Sequence, residues 1–107
     1  MANAKYNVIV SDAALSMLDS HVDFLARVSR NAATKLMNEI LHDAESLSEN
    51  PQRFPAYENQ FISDNHYRRM LSCKRYLILY EIVGATVFVD YIIDCRQGCQ
   101  WLVQQSI

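Results

Sequence analysis

The sequence has 107 residues, a formal net charge of −2 at pH 7 and 50% hydrophobic residues. This length suffices for one compact domain and not for two, and the apolar fraction with only 2 glycines and 2 prolines excludes a disordered chain. The acidic balance argues against a dedicated nucleic-acid-binding protein, because such proteins rely on cationic side chains that neutralise phosphates. We therefore expect a single domain over residues 1–107, with the tail 98–107 unassigned between helix and strand.

No signal peptide or membrane span is predicted. The first apolar run, residues 8–10, is too short for the core of a signal peptide. The longest apolar stretch, residues 76–93, is interrupted by Glu81 and Asp90, and charges are costly in lipid. The 3 cysteines are an odd number, which favours a reducing compartment over a disulfide framework. These features predict a cytoplasmic protein without a membrane partner.

The first half of the chain predicts one strand followed by two helices. Residues 5–10 form a short β-branched run, and Ser11 after it carries a hydroxyl suited to capping a helix. Apolar residues at three- and four-residue steps then predict a helix from Ala13. We expect a second helix with Asn31 as its N-cap, folded back as an antiparallel hairpin because the link is so short. Two prolines end it in a loop over residues 48–55.

The second half changes to the two-residue period that is typical of strands. A weak pattern predicts an edge strand at residues 57–63. Runs rich in Tyr, Ile and Val predict three stronger strands, at residues 67–71, 76–82 and 86–93. Strict alternation places Phe88 and Tyr91 on opposite faces of the last one. The whole order predicts an α+β fold, in which a three- to four-stranded antiparallel meander carries the helices on one face and leaves the other face to a partner or substrate.

The cysteines do not form a recognisable metal site or nucleophile. Cys95 and Cys99 are spaced C-x3-C, which differs from the C-x2-C of zinc knuckles. A thiolate nucleophile needs a neighbouring base, and all three histidines lie in other predicted elements. The sequence contains no glycine-rich phosphate loop and no known catalytic motif. We therefore predict no metal and no cofactor, with the cysteines as small buried or half-buried side chains.

The segment HYRRMLSCKRY, residues 66–76, concentrates basic side chains. It contains four cations and no acid, namely Arg68, Arg69, Lys74 and Arg75. Successive residues of a strand point to opposite faces, so Arg68 and Arg69 cannot both face one side of the sheet. Each is either a solvated rim side chain or a contact for an anion or an RNA phosphate. Arg96 follows the last strand beside Asp94, where a structural ion pair and a functional guanidinium both stay open.

The residues YRRMLSCKRYLILYEIVGATVFVDYIIDCRQ resemble the RelE/ParE toxin superfamily of bacterial type II toxin–antitoxin modules. The resemblance extends over about residues 5–97, and its most specific part is the progression YRR…KRY-x-I-x-YEI…V-x-V-x-x-I-x-D-C-R. The C-R pair is similar to the YoeB-like ribonuclease toxins, and the whole ending is similar to plasmid-stabilisation-type members. A RelE/ParE-like fold is therefore implied for this chain.

The resemblance also implies partners and site residues. A cognate antitoxin wraps the helices and sheet of such toxins, and the mRNA-cleaving members act on the ribosome, where basic side chains stabilise the phosphoryl-transfer transition state. Arg68 and Arg96 are the catalytic residues that this implies here. Secondary or RNA-binding contacts are Arg69, Lys74, Arg75 and Gln97. Met70 and Leu77, however, stand where further basic residues are expected. After Arg96, where an aromatic residue, a histidine and a terminal tyrosine are expected, this chain has Gln97, Gly98 and Cys99.

Three functions follow from the resemblance. The first is a ribosome-dependent mRNA endonuclease, or mRNA interferase. The second is a ParE-like inhibitor of DNA gyrase, since members of that branch poison gyrase without cleaving RNA and lack the catalytic set. The third is a degenerate, non-toxic module that only binds its antitoxin. Homo-oligomer formation is a further open alternative.

Overall fold

The structure is a computed structural model that describes residues 5–57 and 67–95. In chain order, its elements are β1 (Asn7–Val10), α1 (Asp12–Ala26), α2 (Arg30–Glu45), two 3-10 turns (Ser46–Ser48 and Pro51–Arg53), β2 (Tyr67–Ser72), β3 (Tyr76–Val83) and β4 (Thr86–Asp94). The predicted N-terminal strand, helical hairpin and meander are thus confirmed. Within these ranges, neither helix is long and apolar enough to cross a membrane. The tail 98–107 lies outside the described residues.

The strands form one sheet in the order β1-β4-β3-β2. Strands β2, β3 and β4 pair antiparallel, whereas β1 runs parallel to β4. Outside β2, Ala56 bridges Arg68, and the Tyr57 amide donates a hydrogen bond of 2.7 Å to the carbonyl oxygen of Tyr67. A short extended segment therefore flanks β2, while the rest of the predicted edge strand, from residue 58 onward, lies outside the described residues.

Serine side chains cap both helices. The Ser11 hydroxyl oxygen accepts a hydrogen bond of 3.0 Å from the amide of Ala14, as the sequence predicts. Helix α2 has Ser29 as its N-cap, with extended backbone and a 3.1 Å hydrogen bond accepted from the amide of Ala32. The predicted N-cap Asn31 is wrong, because this residue already lies in the first helical turn. Serine and asparagine are equally good caps, so residue type did not separate the two positions.

The main core lies between the helical hairpin and one face of the sheet. The helices contribute buried small and aliphatic side chains, and β3 contributes alternate residues. The β3 side chains in this core are Tyr76, Ile78 and Tyr80, exposed by 2%, 0% and 0%. Burial of such large side chains contributes about 1.5–3 kcal/mol each. The helices are therefore held to the sheet mainly by apolar packing.

A β-bulge interrupts the pairing of β3 with β4. Leu79 pairs with Tyr91, but the next residue, Tyr80, pairs with Val89. Asp90 is therefore the extra residue on β4, without a cross-strand partner in the register. Bulges of this kind shift the alternation of side chains along the strand that carries them.

The bulge changes which side chains share a face. Tyr91 pairs with Leu79 and Phe88 pairs with Glu81, and these two partners lie two residues apart on β3. Phe88 and Tyr91 therefore lie on the same face, the one that faces away from the helices. The prediction that they lie on opposite faces is wrong, because strict alternation does not allow for an inserted residue.

The second face of the sheet, opposite the helices, carries a small cluster of its own. It is built from Tyr57, Leu79 and Ile93, with Tyr67, Leu77 and Tyr91 packed against them. Leu79 is fully buried, whereas Leu71 at the β2 side is 57% exposed. The centre of this face is thus shielded, whereas solvent reaches it at both edges, at Leu71 on β2 and at Ile9 on β1, which is 47% exposed.

Candidate functional site

Arg68, the first predicted catalytic residue, lies on the helical side of the sheet. It pairs across the strands with Tyr80, whose side chain belongs to the main core. Its Nη1 donates hydrogen bonds to the carbonyl oxygens of Gln52 at 3.2 Å and Phe54 at 2.6 Å. The guanidinium is thereby joined to the loop that follows α2. Its catalytic role stays a prediction.

Two further side chains bond to the backbone of the same loop. The guanidinium of Arg53 donates to the carbonyl oxygens of Ser46, Glu49 and Asn50. The hydroxyl of Tyr80 donates a 2.6 Å hydrogen bond to the carbonyl oxygen of Pro51. Burial raises the pKa of Tyr80 to about 12, although the nearby arginines oppose this rise. Three side chains, including that of Arg68, therefore donate hydrogen bonds to six of the carbonyl groups between residues 46 and 54.

Arg69 lies on the second face and is exposed. Its amide donates a 3.1 Å hydrogen bond to the carbonyl oxygen of Pro55, while its side chain borders a groove of about 590 Å³. The groove is lined by Pro55, Ala56, Tyr57, Arg69 and Leu77. Among the described residues, the Arg69 guanidinium has no hydrogen-bond or ion-pair partner. The predicted divergence of the two neighbouring arginines is confirmed.

Lys74 and Arg75 lie at the turn between β2 and β3. Cys73 and Lys74 have left-handed backbone conformations, with φ of 53° and 66°. The Arg75 Nη2 donates a 2.9 Å hydrogen bond to the hydroxyl of Tyr76, and its guanidinium carbon lies 5.0 Å from the centre of that ring. Tyr76 belongs to the main core, so Arg75 lies against the helical side and not beside Arg69.

Cys73 has the contacts of a structural thiol. Its Sγ donates a hydrogen bond to the Glu39 carboxylate at 3.1 Å. Burial raises the pKa of Cys73, and the hydrogen bond to Glu39 raises it further, so the thiolate is disfavoured. Across residues 5–57 and 67–95, no three His, Cys, Asp or Glu side chains are grouped to hold a metal ion. Cys99 lies outside these ranges.

Sequence reasoning missed a polar pair on the second face. The Tyr67 hydroxyl donates a 2.9 Å hydrogen bond to Oδ2 of Asp90, the bulge residue. Burial, together with this hydrogen bond, raises the pKa of Tyr67. The signal in the sequence is an acid inside an otherwise apolar strand. Glu81, the cross-strand partner of Tyr67, adds a second carboxylate to this face.

The predicted site residues do not meet at one place within the described chain. Arg69 is on the second face, Arg68 and Arg75 are on the helical side, and Lys74 is in a turn. Arg96, the second predicted catalytic residue, and its secondary neighbour Gln97 lie outside the described residues. Of the predicted site residues in the described part, Arg69 combines a guanidinium that has no partner there with a groove beside it.

Comparison with known proteins identifies the family. The family model described as the ParE toxin of the type II toxin–antitoxin system, parDE, matches residues 8–97. The chain belongs to this family. The ParE fold is also seen in a solved structure, entitled "Chromosomal ParDE TA system from P. aeruginosa", with a TM-score of 0.68 and 12% sequence identity. The match covers 85% of this chain and 97% of that one, and at this identity the likeness concerns the fold alone. No curated protein matches the sequence.

ParE family membership confirms the predicted superfamily and the toxin class. This chain is the toxin component of a type II module. The ParE branch is the one for which the sequence resemblance implies a non-cleaving action. The positions of Arg68 and Arg69 are relevant to whether the target is mRNA or DNA gyrase.

Proposed function

We propose that this ParE-family toxin is neutralised by a cognate antitoxin and acts by binding DNA gyrase, without cleaving RNA itself. One observation carries the proposal. Arg68, the arginine that an endonuclease would direct at the scissile phosphate, donates its hydrogen bonds to the backbone oxygens of Gln52 and Phe54. This placement favours a structural role for its charge.

Charge placement is the main requirement for an RNA-cleaving site. Stabilising a phosphoryl-transfer transition state needs cations and proton donors fixed around the same phosphate. Arg68 and Arg69 diverge to opposite faces of β2, and only Arg69 faces away from the helices. A binding mechanism needs no such convergence, and it is therefore favoured by this arrangement.

The second face also carries negative charge. Asp90 and Glu81 lie on it, next to Tyr67. The Tyr67 hydroxyl donates a hydrogen bond to Asp90, and Tyr67 is the cross-strand partner of Glu81. Carboxylates repel RNA phosphates, whose neutralisation by cations supplies most of the binding free energy. A mixed acidic, aromatic and apolar face is better suited to a protein surface. This supports a protein target.

Exposed apolar side chains at the connected end of the helical hairpin support an antitoxin contact. Phe24, in the last turn of α1, is 62% exposed, and Val28, in the turn between α1 and α2, is 81% exposed. Exposed apolar side chains of this kind often mark a protein interface. The solved structure of similar fold is itself entitled as a ParDE system. A partner that covers Phe24 and Val28 fits the antitoxin role.

The test is induction of the chain alone, with supercoiling assays and mRNA primer extension on the same cultures. Growth arrest with lost supercoiling and cleaved DNA–gyrase complexes supports the proposal. Ribosome-dependent mRNA cleavage contradicts it and favours the endonuclease, with Arg68 and Arg96 as the residues to replace. Absence of growth arrest, with retained binding to a small protein encoded by an adjacent gene, favours the degenerate module. Co-expression of that neighbouring protein is the matched control, and it should restore growth.

A further inference from the structure

We propose that the groove beside Arg69 binds a segment of the target protein that presents a carboxylate next to an apolar side chain. The inference rests on the proposed function, because it names the surface that the toxin uses on its protein target. Its elements are the Arg69 guanidinium and the groove lined by Pro55, Ala56, Tyr57 and Leu77.

The charge of Arg69 is available for binding. The residue is exposed, and the close charged contacts in the described part of the chain join Lys35 to Glu39 and His42 to Asp43, so neither contains Arg69. None of the other side chains that line the groove is charged. A guanidinium in such a place presents a planar fork that matches a carboxylate in two parallel hydrogen bonds.

The surroundings of Arg69 are apolar. Pro55 and Leu77 lie on either side of it in the groove, and Leu71, two residues along the same strand face, is 57% exposed. Tyr57, only 7% exposed, is packed in the second-face cluster and fixes one wall. The volume of about 590 Å³ falls in the range of roughly 300–1,000 Å³ that is typical of binding clefts. Arginine is among the residue types enriched at interface hot spots, where surrounding contacts exclude water.

The same face explains why one carboxylate, and not a nucleic-acid backbone, fits this groove. A polyanion that reaches Arg69 would continue along the sheet toward Glu81 and Asp90. Those carboxylates oppose further phosphates, whereas a protein segment can place a neutral or basic side chain there. The chemistry that fits is an acidic residue with an apolar neighbour.

Two charge reversals test the inference with purified protein. Arg69→Glu is compared with Lys35→Glu, an equal change of charge on α2, where the Lys35 side chain is 77% exposed. The readout is inhibition of gyrase supercoiling, measured as the toxin concentration that gives half inhibition. Thermal unfolding of each variant shows that it is folded.

We expect Arg69→Glu to raise the half-inhibitory concentration about tenfold or more, as loss of a hot-spot charge does. Lys35→Glu should change it by less than about twofold. Arg69→Lys should give an intermediate loss, because it keeps the charge and loses the bidentate fork.

Unchanged inhibition by Arg69→Glu would overturn the inference and leave the proposed function intact. An equal loss in Lys35→Glu would also overturn it, since only net charge would then matter. A fluorescein-labelled single-stranded RNA that binds the wild type and not Arg69→Glu would show a phosphate site instead. Failure of the wild type to inhibit gyrase refutes the proposed function and the inference together.

Discussion

The hydroxyl of Tyr80, in the centre of the sheet, donates a hydrogen bond of 2.6 Å to the carbonyl oxygen of Pro51. Tyr80 and Pro51 are both fully buried. Water therefore cannot replace the Tyr80 hydroxyl as the donor to the Pro51 carbonyl oxygen. We expect Tyr80→Phe to lower the free energy of unfolding by about 1–3 kcal/mol, because a buried carbonyl is left unpaired. Urea denaturation measures the difference.

The control for this substitution is Tyr6→Phe. The Tyr6 hydroxyl accepts a 2.7 Å hydrogen bond from Nε2 of Gln52 in an exposed position. Water replaces that bond readily, so the change should stay within about 0.5 kcal/mol. Equal losses in the two variants would contradict the structural account of Tyr80.

Tyr80 also predicts a loss of stability in alkali. Burial raises its pKa from the ordinary value of 10.0 to about 12, so the folded state favours the neutral phenol. This contribution is fully present below the unfolded pKa of about 10 and is lost as pH rises toward about 12. Urea midpoints taken through this window should fall more steeply for the wild type than for Tyr80→Phe. Parallel curves would show that the Tyr80 phenol does not contribute.

The neighbouring arginines of β2 should differ in their effect on stability. Arg68→Met removes the donor to the carbonyl oxygens of Gln52 and Phe54, which should cost about 1 kcal/mol, because the Phe54 bond is part-buried while water can replace the exposed bond to Gln52. Arg69→Met, the matched control, should change the free energy of unfolding by less than about 0.5 kcal/mol, since its guanidinium has no partner within residues 5–57 and 67–95. The reverse order would contradict the structural role of the Arg68 guanidinium.

The start of α2 gives a prediction that separates the observed cap from the expected one. Ser29→Ala removes the hydroxyl that accepts from the Ala32 amide and should lower the free energy of unfolding by about 1 kcal/mol. Asn31→Ala should be neutral or slightly stabilising, because alanine favours the helix interior. Both are measured by urea denaturation, and a larger loss for Asn31→Ala would contradict the assigned cap.

Backbone strain in the β2–β3 turn predicts a stabilising substitution. Lys74 has a φ of 66°, a conformation that is costly for side chains and free for glycine. Lys74→Gly should raise the free energy of unfolding by about 1 kcal/mol. The same replacement inside α2, Lys35→Gly, should lower it by about 1 kcal/mol. Two changes of the same sign would show that the turn is not strained.

Local sequence patterns predicted the element order, the Ser11 cap and the divergence of Arg68 from Arg69. Each of these depends on neighbouring residues alone: periodicity, a capping side chain, and strand alternation. The bulge at Asp90 was not predictable in this way, because it is defined by the register against β3.

The same limit applies to the candidate site. A row of basic residues indicated an anion-binding function, but the partners that decide their roles are distant in sequence. Gln52 and Phe54 lie 16 and 14 residues from Arg68. Only the fold shows that one arginine binds a loop while the next lies free beside a groove.

The parallel pairing of β1 with β4 has a consequence for synthesis of the toxin. The hydrogen bond from the Ser11 hydroxyl to the carbonyl oxygen of Asp90 spans 79 residues. The two helices are neighbours in sequence, whereas β1 has no sheet neighbour among the described strands until Thr86–Asp94 has left the ribosome. The toxin therefore cannot complete its sheet before this last described strand has been synthesised.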